Sequence, residues 1–439
     1  MKDVVKIGCS LGFWGDTNVG AFQLVDSGID YLVGDYLAEV TMGILARMKN
    51  EGAARGGMGD GGFVSEFVYS VWKPLMGKIL AKNIKVIVNA GGMNPLACKK
   101  AIEKVSKAAG LTVTVACVTG DDLMDKKEAL KEAGKLSVFS VETAEEPLLP
   151  DGKLCLSFNA YLGAKPIQIA LQNGAQVIVT GRCVDSALIL APLMHEFGWS
   201  ETDFDLLAAG SVGGHIIECG CQCTGGNFTD WEKSAFSANG GWANAGFPIL
   251  EVSKNGDLVV TKPANTGGIV SWGSVVEQIV YEIHDPARYY LPDVIVDFTN
   301  LKVTELGNDR VSVKGAKGYP PTKFYKISST YFNGYWIAAE LLITGFEAKQ
   351  KAQAVAEAIL KRTSFLLKKK NLDDFTATNI EFLGNEHTYG SRGNNGSKEI
   401  VLRISVHHQS PEGIKIFGRE IAPVRFRFFR TFSFFILTI

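Results

Sequence analysis

From Val4 to about residue 180, short apolar runs alternate with longer stretches of helical periodicity. VVKIG precedes a helical pattern over Ala21 to Ser27, YLVGD one over Leu37 to Asn50, and IKVIVNA one over Pro95 to Ala109. LTVTVACV precedes Leu123 to Ala133, and AQVIVT precedes Ser186 to Phe197. This alternation predicts βαβ units and a mostly parallel sheet. The runs are continuously apolar rather than alternating, which predicts helices on both faces. From about 245 the texture changes. LEVSKNGDLVV, KVTELGNDRVSVKG and KISSTYFNGYWIAAELL alternate with period two and carry Asn-Gly or Gly-Asn-Asp turns, so a smaller antiparallel α+β part is expected there. Glu347 to Lys369 reads as one amphipathic helix, with ATNIEFLG and KEIVLRISVHH as further strands. These patterns divide the chain into an α/β domain over 1–240, an α+β domain over 241–422 and an atypical Phe-rich tail over 423–439. The tail RFRFFRTFSFFILTI has no turn signal and the composition of an aggregation-prone segment.

Composition narrows the picture. The chain has 439 residues, 46% of them hydrophobic and 21% charged, enough for two or three packed domains. A net charge of -1 gives no global field for nucleic acid or anionic lipid, so an anionic ligand must be held locally. The opening MKDVVKIGCSLGFWGD lacks a signal-peptide core, and no run approaches the roughly 18 apolar residues of a membrane span. A cytoplasmic location with reduced thiols is expected for the eight cysteines.

In parallel sheets ligands bind beyond the carboxyl ends of the strands, beside helix N-termini. The strand exits here supply Asp16, then Asp35 and Glu39, then Asn89, Gly91, Gly92 and Asn94, then Asp121, then Arg182 and Asp185. Asp35 and Glu39, four apart, would share one helical face as an acid/base pair or Mg²⁺ ligands; otherwise Asp35 is a cap and Glu39 a solvated first-turn residue. The glycines after Asn89 suit an anion or phosphate cradle and equally a structural turn. Arg182 suits a carboxylate or phosphate, or a salt bridge to Asp185 or Asp16. His215 with Glu218 is a general acid/base candidate. Cys219, Cys221 and Cys223 would share one face of a strand, but the spacing is not that of a zinc knuckle, and no metal site is assigned. Thr266 and Gly267 lie in a polar loop, ANTGG, that can close over the sheet edge, as does His387 in HTYG. Gly57, Gly59 and Gly62 spell GxGxxG after a helix rather than a strand, outside the context of a dinucleotide site.

GFWGDT, YLVGDYLAEVTM, VNAGGMNP, NAYLGAKPI, VTGRCVDSALILAPLMHEFGW, AAGSVGGHIIECGCQCTGGNFTDW, KPANTGG and EQIVYEIHDPARYYLPDV, in this order, resemble the signature blocks of the acyclic terpene utilisation AtuA family, a DUF1446-type family. The likeness runs from about Lys6 to Ala422, and where many members read GR-x-A-D this chain has Gly181, Arg182, Cys183, Val184 and Asp185. The resemblance implies a place in the catabolism of acyclic terpenoids such as citronellol and geraniol, whose acids are activated as CoA thioesters and carboxylated. The residues themselves, with no dinucleotide fingerprint in its proper context, lead to the expectation of an enzyme of hydratase, lyase or hydrolase type acting on an acyl-CoA or related branched carboxylate, with Asp35, Glu39, Asp185 and His215 as the acid/base candidates. A non-catalytic acyl-CoA-binding or carboxylase-associated partner and a nucleotide- or Mg²⁺-dependent ligase remain open alongside it. A homo-oligomer is a further expectation. Many members continue into a small ferredoxin-like C-terminal domain, which this reading places outside the chain.

Overall fold

The computed structural model describes residues 2–54, 61–136, 152–385, 387, 388, 390, 397–423 and 432–438. Gly57 and Gly59 of the GxGxxG string lie outside these residues, as does Tyr389 of HTYG. The chain divides into two compact units, Met1–Tyr331 and Phe332–Ile439.

In the first unit the strands are β1 (Val4–Cys9), β2 (Tyr31–Gly34), β3 (Lys85–Val88), β4 (Val115–Val118), β5 (Cys155–Ala160), β6 (Val177–Thr180), β7 (Ile249–Ser253) and β8 (Leu258–Thr261). They continue with β9 (Tyr289–Tyr290), β10 (Ile295–Asp297), β11 (Lys302–Glu305), β12 (Val311–Lys314), β13 (Lys317–Tyr319) and β14 (Ile327–Tyr331). Among the described residues nine of them form one sheet in the order β11-β12-β8-β7-β1-β2-β3-β6-β4. β1, β2, β3, β6 and β4 run parallel. β7 pairs antiparallel with β1, β8 with β7, β12 with β8 and β11 with β12. The sheet is therefore mixed, and "mostly parallel" holds for its first half only. Two of the three period-two segments expected in a separate domain beyond 240, LEVSKNGDLVV and KVTELGNDRVSVKG, extend this sheet instead. Period two records that one side of a strand is buried, not which strand lies beside it.

Consecutive strand residues face opposite layers. Val5, Ile7, Cys9, Val33, Ile87 and Ile178 pack into one core with the helices Ala187–Phe197 and Phe204–Ile217. Leu32, Val86, Val88, Val177 and Val179 pack into the other with Val19–Val25 and Pro95–Ala108. Both faces are covered, which explains the absence of polar alternation in these strands. β5 and β14 form a separate antiparallel pair in the same unit, with Asn159 opposite Ser328.

In the second unit β15 (Tyr335–Thr344), the helix Ala348–Lys369, β16 (Ala377–Leu383), β17 (Glu399–His408), the helix Pro411–Ile421 and β18 (Phe432–Thr438) follow in that order. Its antiparallel sheet is ordered β16-β17-β15-β18. A βαββαβ chain with two interleaved outer strands is the split βαβ arrangement of ferredoxin-like folds. This corrects two expectations. The ferredoxin-like part placed outside the chain has its counterpart here. Residues 432–438 of the supposed tail form a strand, with Ala339 opposite Leu437 and Leu341 opposite Phe435. The β-propensity that marks a segment as aggregation-prone also makes a good sheet edge partner.

Candidate functional site

The parallel strands deliver their exit residues to one edge of the sheet. Asp35, immediately after β2, is 5% exposed, and Asn89, after β3, is fully buried. The Tyr36 backbone N–H donates to Asn89 Oδ1 at 2.7 Å, and Asn89 Nδ2 donates to Asp35 Oδ1 at 2.5 Å. Asp121, after β4, accepts through Oδ2 from Arg182 N at 2.8 Å and from Asn159 Nδ2 at 2.9 Å. Arg182, after β6, is 3% exposed. Its Nη1 donates to Leu37 O at 2.9 Å and to Asp185 Oδ1 at 2.7 Å, and its guanidinium lies 4.3 Å from the centre of the Tyr161 ring. Such stacking is specific to a planar cation. The Tyr161 hydroxyl donates to Glu39 Oε1, and Lys326 Nζ stands 4.6 Å from the same ring. Arg182 Nε and Asn159 Oδ1 are buried without a hydrogen-bond partner.

A second pair comes from the helix Phe204–Ile217. His215 sits in its last turn, where the helix dipole favours a cation, and its Nδ1 lies 3.1 Å from Glu218 Oε1. His215 Nε2 is buried and unpartnered, with the rings of Phe298 and Tyr289 beside it. Gly214 lets this helix approach the Ser186 backbone, since a Cβ there would stand 2.7 Å from Ser186 Cα.

Electrostatics tie these groups into one cluster. Burial, then the Asp185 carboxyl, holds Asp35 well above the usual carboxylate range. Burial raises Asp185 as well, with the Arg182 guanidinium opposing it. Burial raises Glu218 while its bond to His215 pulls it down. Burial would lower His215, but the Glu218 bond and charge, with the backbone of Ile279 and Gln278, together turn the net shift upward. Burial raises Asp121 against the Arg182 and Asn159 bonds, and it pushes the Tyr161 phenol up to about 12. Glu39 is shifted down: its burial acts upward, and the Tyr161 bond, a backbone bond and the charges of Arg182 and Lys326 together outweigh it. The nearby thiols of Cys9, Cys219 and Cys223 are all raised by burial, so none is a thiolate near neutrality.

The structure thus brings together Asp35, Glu39, Asn89, Asp121, Arg182, Asp185 and His215. The helix expected to hold Asp35 and Glu39 on one face begins only at Glu39, because Asp35 is in an extended segment fixed by Asn89. Cys219, Cys221 and Cys223 are not on a strand: Gly220–Thr224 is a 3₁₀ turn. Among the described residues no group of three or more His, Cys, Asp or Glu side chains is placed to hold a metal.

The glycine loop takes a packing role. A Cβ on Gly91 would stand 2.4 Å from Thr180 O, and one on Gly92 2.3 Å from Leu45 Cδ1. Gly92 N donates to Asn89 O, Asn94 N to Gly91 O, and Asn94 Oδ1 caps its helix at Ala97 N. Asp16 closes its own loop through Gly12 N and Thr17 N. Thr266 Oγ1 donates to Pro263 O within its own loop, and Gly267 N donates to Asn244 O, which ties that loop to the turn Gly241–Asn244. Asn159, Tyr161 and Lys326 escaped the sequence reading as site residues. Their one signal was the position of Asn159 and Tyr161 inside the quoted block NAYLGAKPI.

No helix among the described residues is long and apolar enough to cross a membrane. No curated protein matches this chain. Among solved structures, the de novo designed protein Ferredog-Diesel is 14% identical over 25% of this chain and 90% of its own, with a TM-score of 0.17. A homoserine dehydrogenase from Thiobacillus denitrificans is 10% identical over 95% of this chain and 83% of its own, with a TM-score of 0.16. The model of the acyclic terpene utilisation family protein AtuA matches residues 5–438, past the limit near Ala422 drawn from the signature blocks, and the chain belongs to that family.

Proposed function

We propose that this protein is an enzyme that acts by acid–base chemistry on a branched acyl-CoA or related branched carboxylate during acyclic terpene utilisation, as a hydratase, lyase or hydrolase. The observation that carries this reading is the gathering of Arg182–Asp185, Asp35–Asn89 and His215–Glu218 at the carboxyl ends of the parallel strands. Buried carboxyls and an imidazole with shifted affinities for protons are the equipment of general acid–base catalysis. The raised thiols argue against a cysteine nucleophile. Arg182 and the more exposed Lys326 supply the positive charge for a carboxylate or thioester carbonyl near Tyr161.

The test is a thermal-shift and native mass-spectrometric screen of the full chain with CoA, geranyl-type acyl-CoA and short branched acyl-CoA esters. Stabilisation by an acyl-CoA, and its loss in Arg182→Ala measured against that variant's own baseline, is the expected result. No shift with any CoA compound would refute the substrate assignment.

A further inference from the structure

We propose that Asp35 stands as a neutral carboxylic acid at neutral pH and is the proton donor of this site, with Asp185 as its ionised counterpart. The inference rests on the acid–base reading of the cluster and divides the labour within it.

The starting point is the orientation of Asn89. Its Oδ1 is taken by the Tyr36 N–H at 2.7 Å, so its Nδ2 must point the other way, to Asp35 Oδ1 at 2.5 Å. Asp35 therefore receives one neutral amide donor, and among the described residues no cation hydrogen-bonds to its carboxyl. An ionised carboxylate buried at 5% exposure ordinarily demands several donors or a cation in contact. Arg182, the permanent cation of the cluster, directs its Nη1 to Leu37 O and Asp185 Oδ1 rather than to Asp35.

The groups facing Asp35 favour the neutral form. Asp185 and Arg182 come from the loop after β6, Glu218 from the turn after the helix Phe204–Ile217, and their net effect with burial is to disfavour charge on Asp35. The Cys9, Cys183 and Cys219 thiols are neutral and bring no positive charge. Two further carboxyls, Asp185 and Glu218, and one guanidinium thus act on Asp35, while the Lys326 cation acts on Asp185. Asp185 has the guanidinium in direct contact and Glu218 the imidazole. Asp35 is the carboxyl left over.

Asp185 differs in access as well, since its side chain keeps 31% of its exposure. Burial raises both carboxyls, but only Asp185 has the guanidinium in contact to oppose it, and two carboxyls set at different proton affinities are the usual partners in acid and base roles. In turnover the Asp35 O–H bond breaks and its proton bonds to the substrate oxygen that gains electron density. The Asp185 carboxylate takes a proton from the attacking water or the substrate, and that proton returns through solvent to the Asp35 carboxylate as product leaves.

Infrared spectroscopy of the full chain at pH 7 tests this without any substrate. A carboxylic C=O band that shifts on H/D exchange is expected in the wild type, absent in Asp35→Asn and retained in Asp185→Asn. ¹³C labelling of aspartate carboxyls in the wild type should move the same band, which gives a reading even if Asp35→Asn does not fold. A wild type with no such band, a band unmoved by labelled aspartate, a band unchanged in Asp35→Asn, or one lost in Asp185→Asn would each overturn the proposal. If acyl-CoA esters fail to bind while the band is found on Asp35, the substrate reading alone falls.

Discussion

The Arg182–Asp185 pair offers a quantitative test of how the cluster is held together. Arg182→Met keeps an unbranched apolar stem but removes the bonds to Leu37 O and Asp185 Oδ1 and the cation over Tyr161. Removing one partner of a buried pair costs about 3–5 kcal/mol, because the other charge is left uncompensated. Asp185 keeps some access to water, so the lower end applies, about 3 kcal/mol. Asp185→Asn retains an acceptor for Nη1 and should cost about 2 kcal/mol. Once the guanidinium is gone, neutralising Asp185 removes the uncompensated charge, so the double variant should cost no more than Arg182→Met alone. That is a coupling of at least about 2 kcal/mol, within the range for residues in contact. Urea unfolding followed by tryptophan fluorescence reports on the right part of the chain, since Trp14, Trp72, Trp199, Trp231, Trp242 and Trp272 all lie in the first unit. On the average entropy of unfolding per residue, 3 kcal/mol in a unit of this size lowers Tm by about 4 °C. Additivity of the two substitutions to within about 0.5 kcal/mol would refute the claim that the pair is a coupled element of the site.

Gly91→Ala drives a Cβ against Thr180 O and Pro95 Cα and should cost about 2 kcal/mol or more, whereas Gly77→Ala, inside a helix with open space around it, should stabilise by about 0.5–1 kcal/mol. Equal effects in chemical denaturation would contradict the packing role of the Gly91 loop. Asp293 accepts the Ala164 N–H through both oxygens at 3.0 and 2.9 Å, and burial raises its carboxyl to about 6. The folded chain then holds a proton that the unfolded chain has lost between roughly pH 4 and 6, so this contribution to stability falls as pH rises through that window and is level above it. The stability difference between wild type and Asp293→Asn should follow that course, and a difference that grows with pH would contradict it. Truncation after Ala422 removes β18 and bares one edge of β15. Light scattering should show aggregation of the truncated chain, and a monodisperse, folded product would refute the structural role of 432–438.

Much of the parallel half was legible because a strand covered on both faces is apolar at every position, as in VIVT after Gln176 and YLVG before Asp35. Parallel strands also share an exit edge, which is why Asp35, Asn89, Asp121, Arg182 and Asp185 could be nominated together from separate segments. Other parts are decided by long-range partners. The hairpin β7–β8 carries the same alternation whether it founds a domain or joins β1. The alternate spacing of Cys219, Cys221 and Cys223 suited a strand, yet the chain there leaves a core helix buried on every side from Leu207 to Ile217 and turns into a 3₁₀ segment. Asn159 and Tyr161 reach the site because β5 pairs with β14, more than 160 residues away, and nothing local in CLSFNAY announces that pairing.

The most direct test of the central claim is turnover of a branched acyl-CoA by the full chain, read by mass spectrometry in ¹⁸O-labelled water, beside Asp185→Asn. A hydrated, cleaved or hydrolysed product from the wild type, with Asp185→Asn still binding the ester but forming none, is the predicted result. Equal product from both proteins, or binding without product in the wild type, would contradict an acid–base enzyme centred on this cluster.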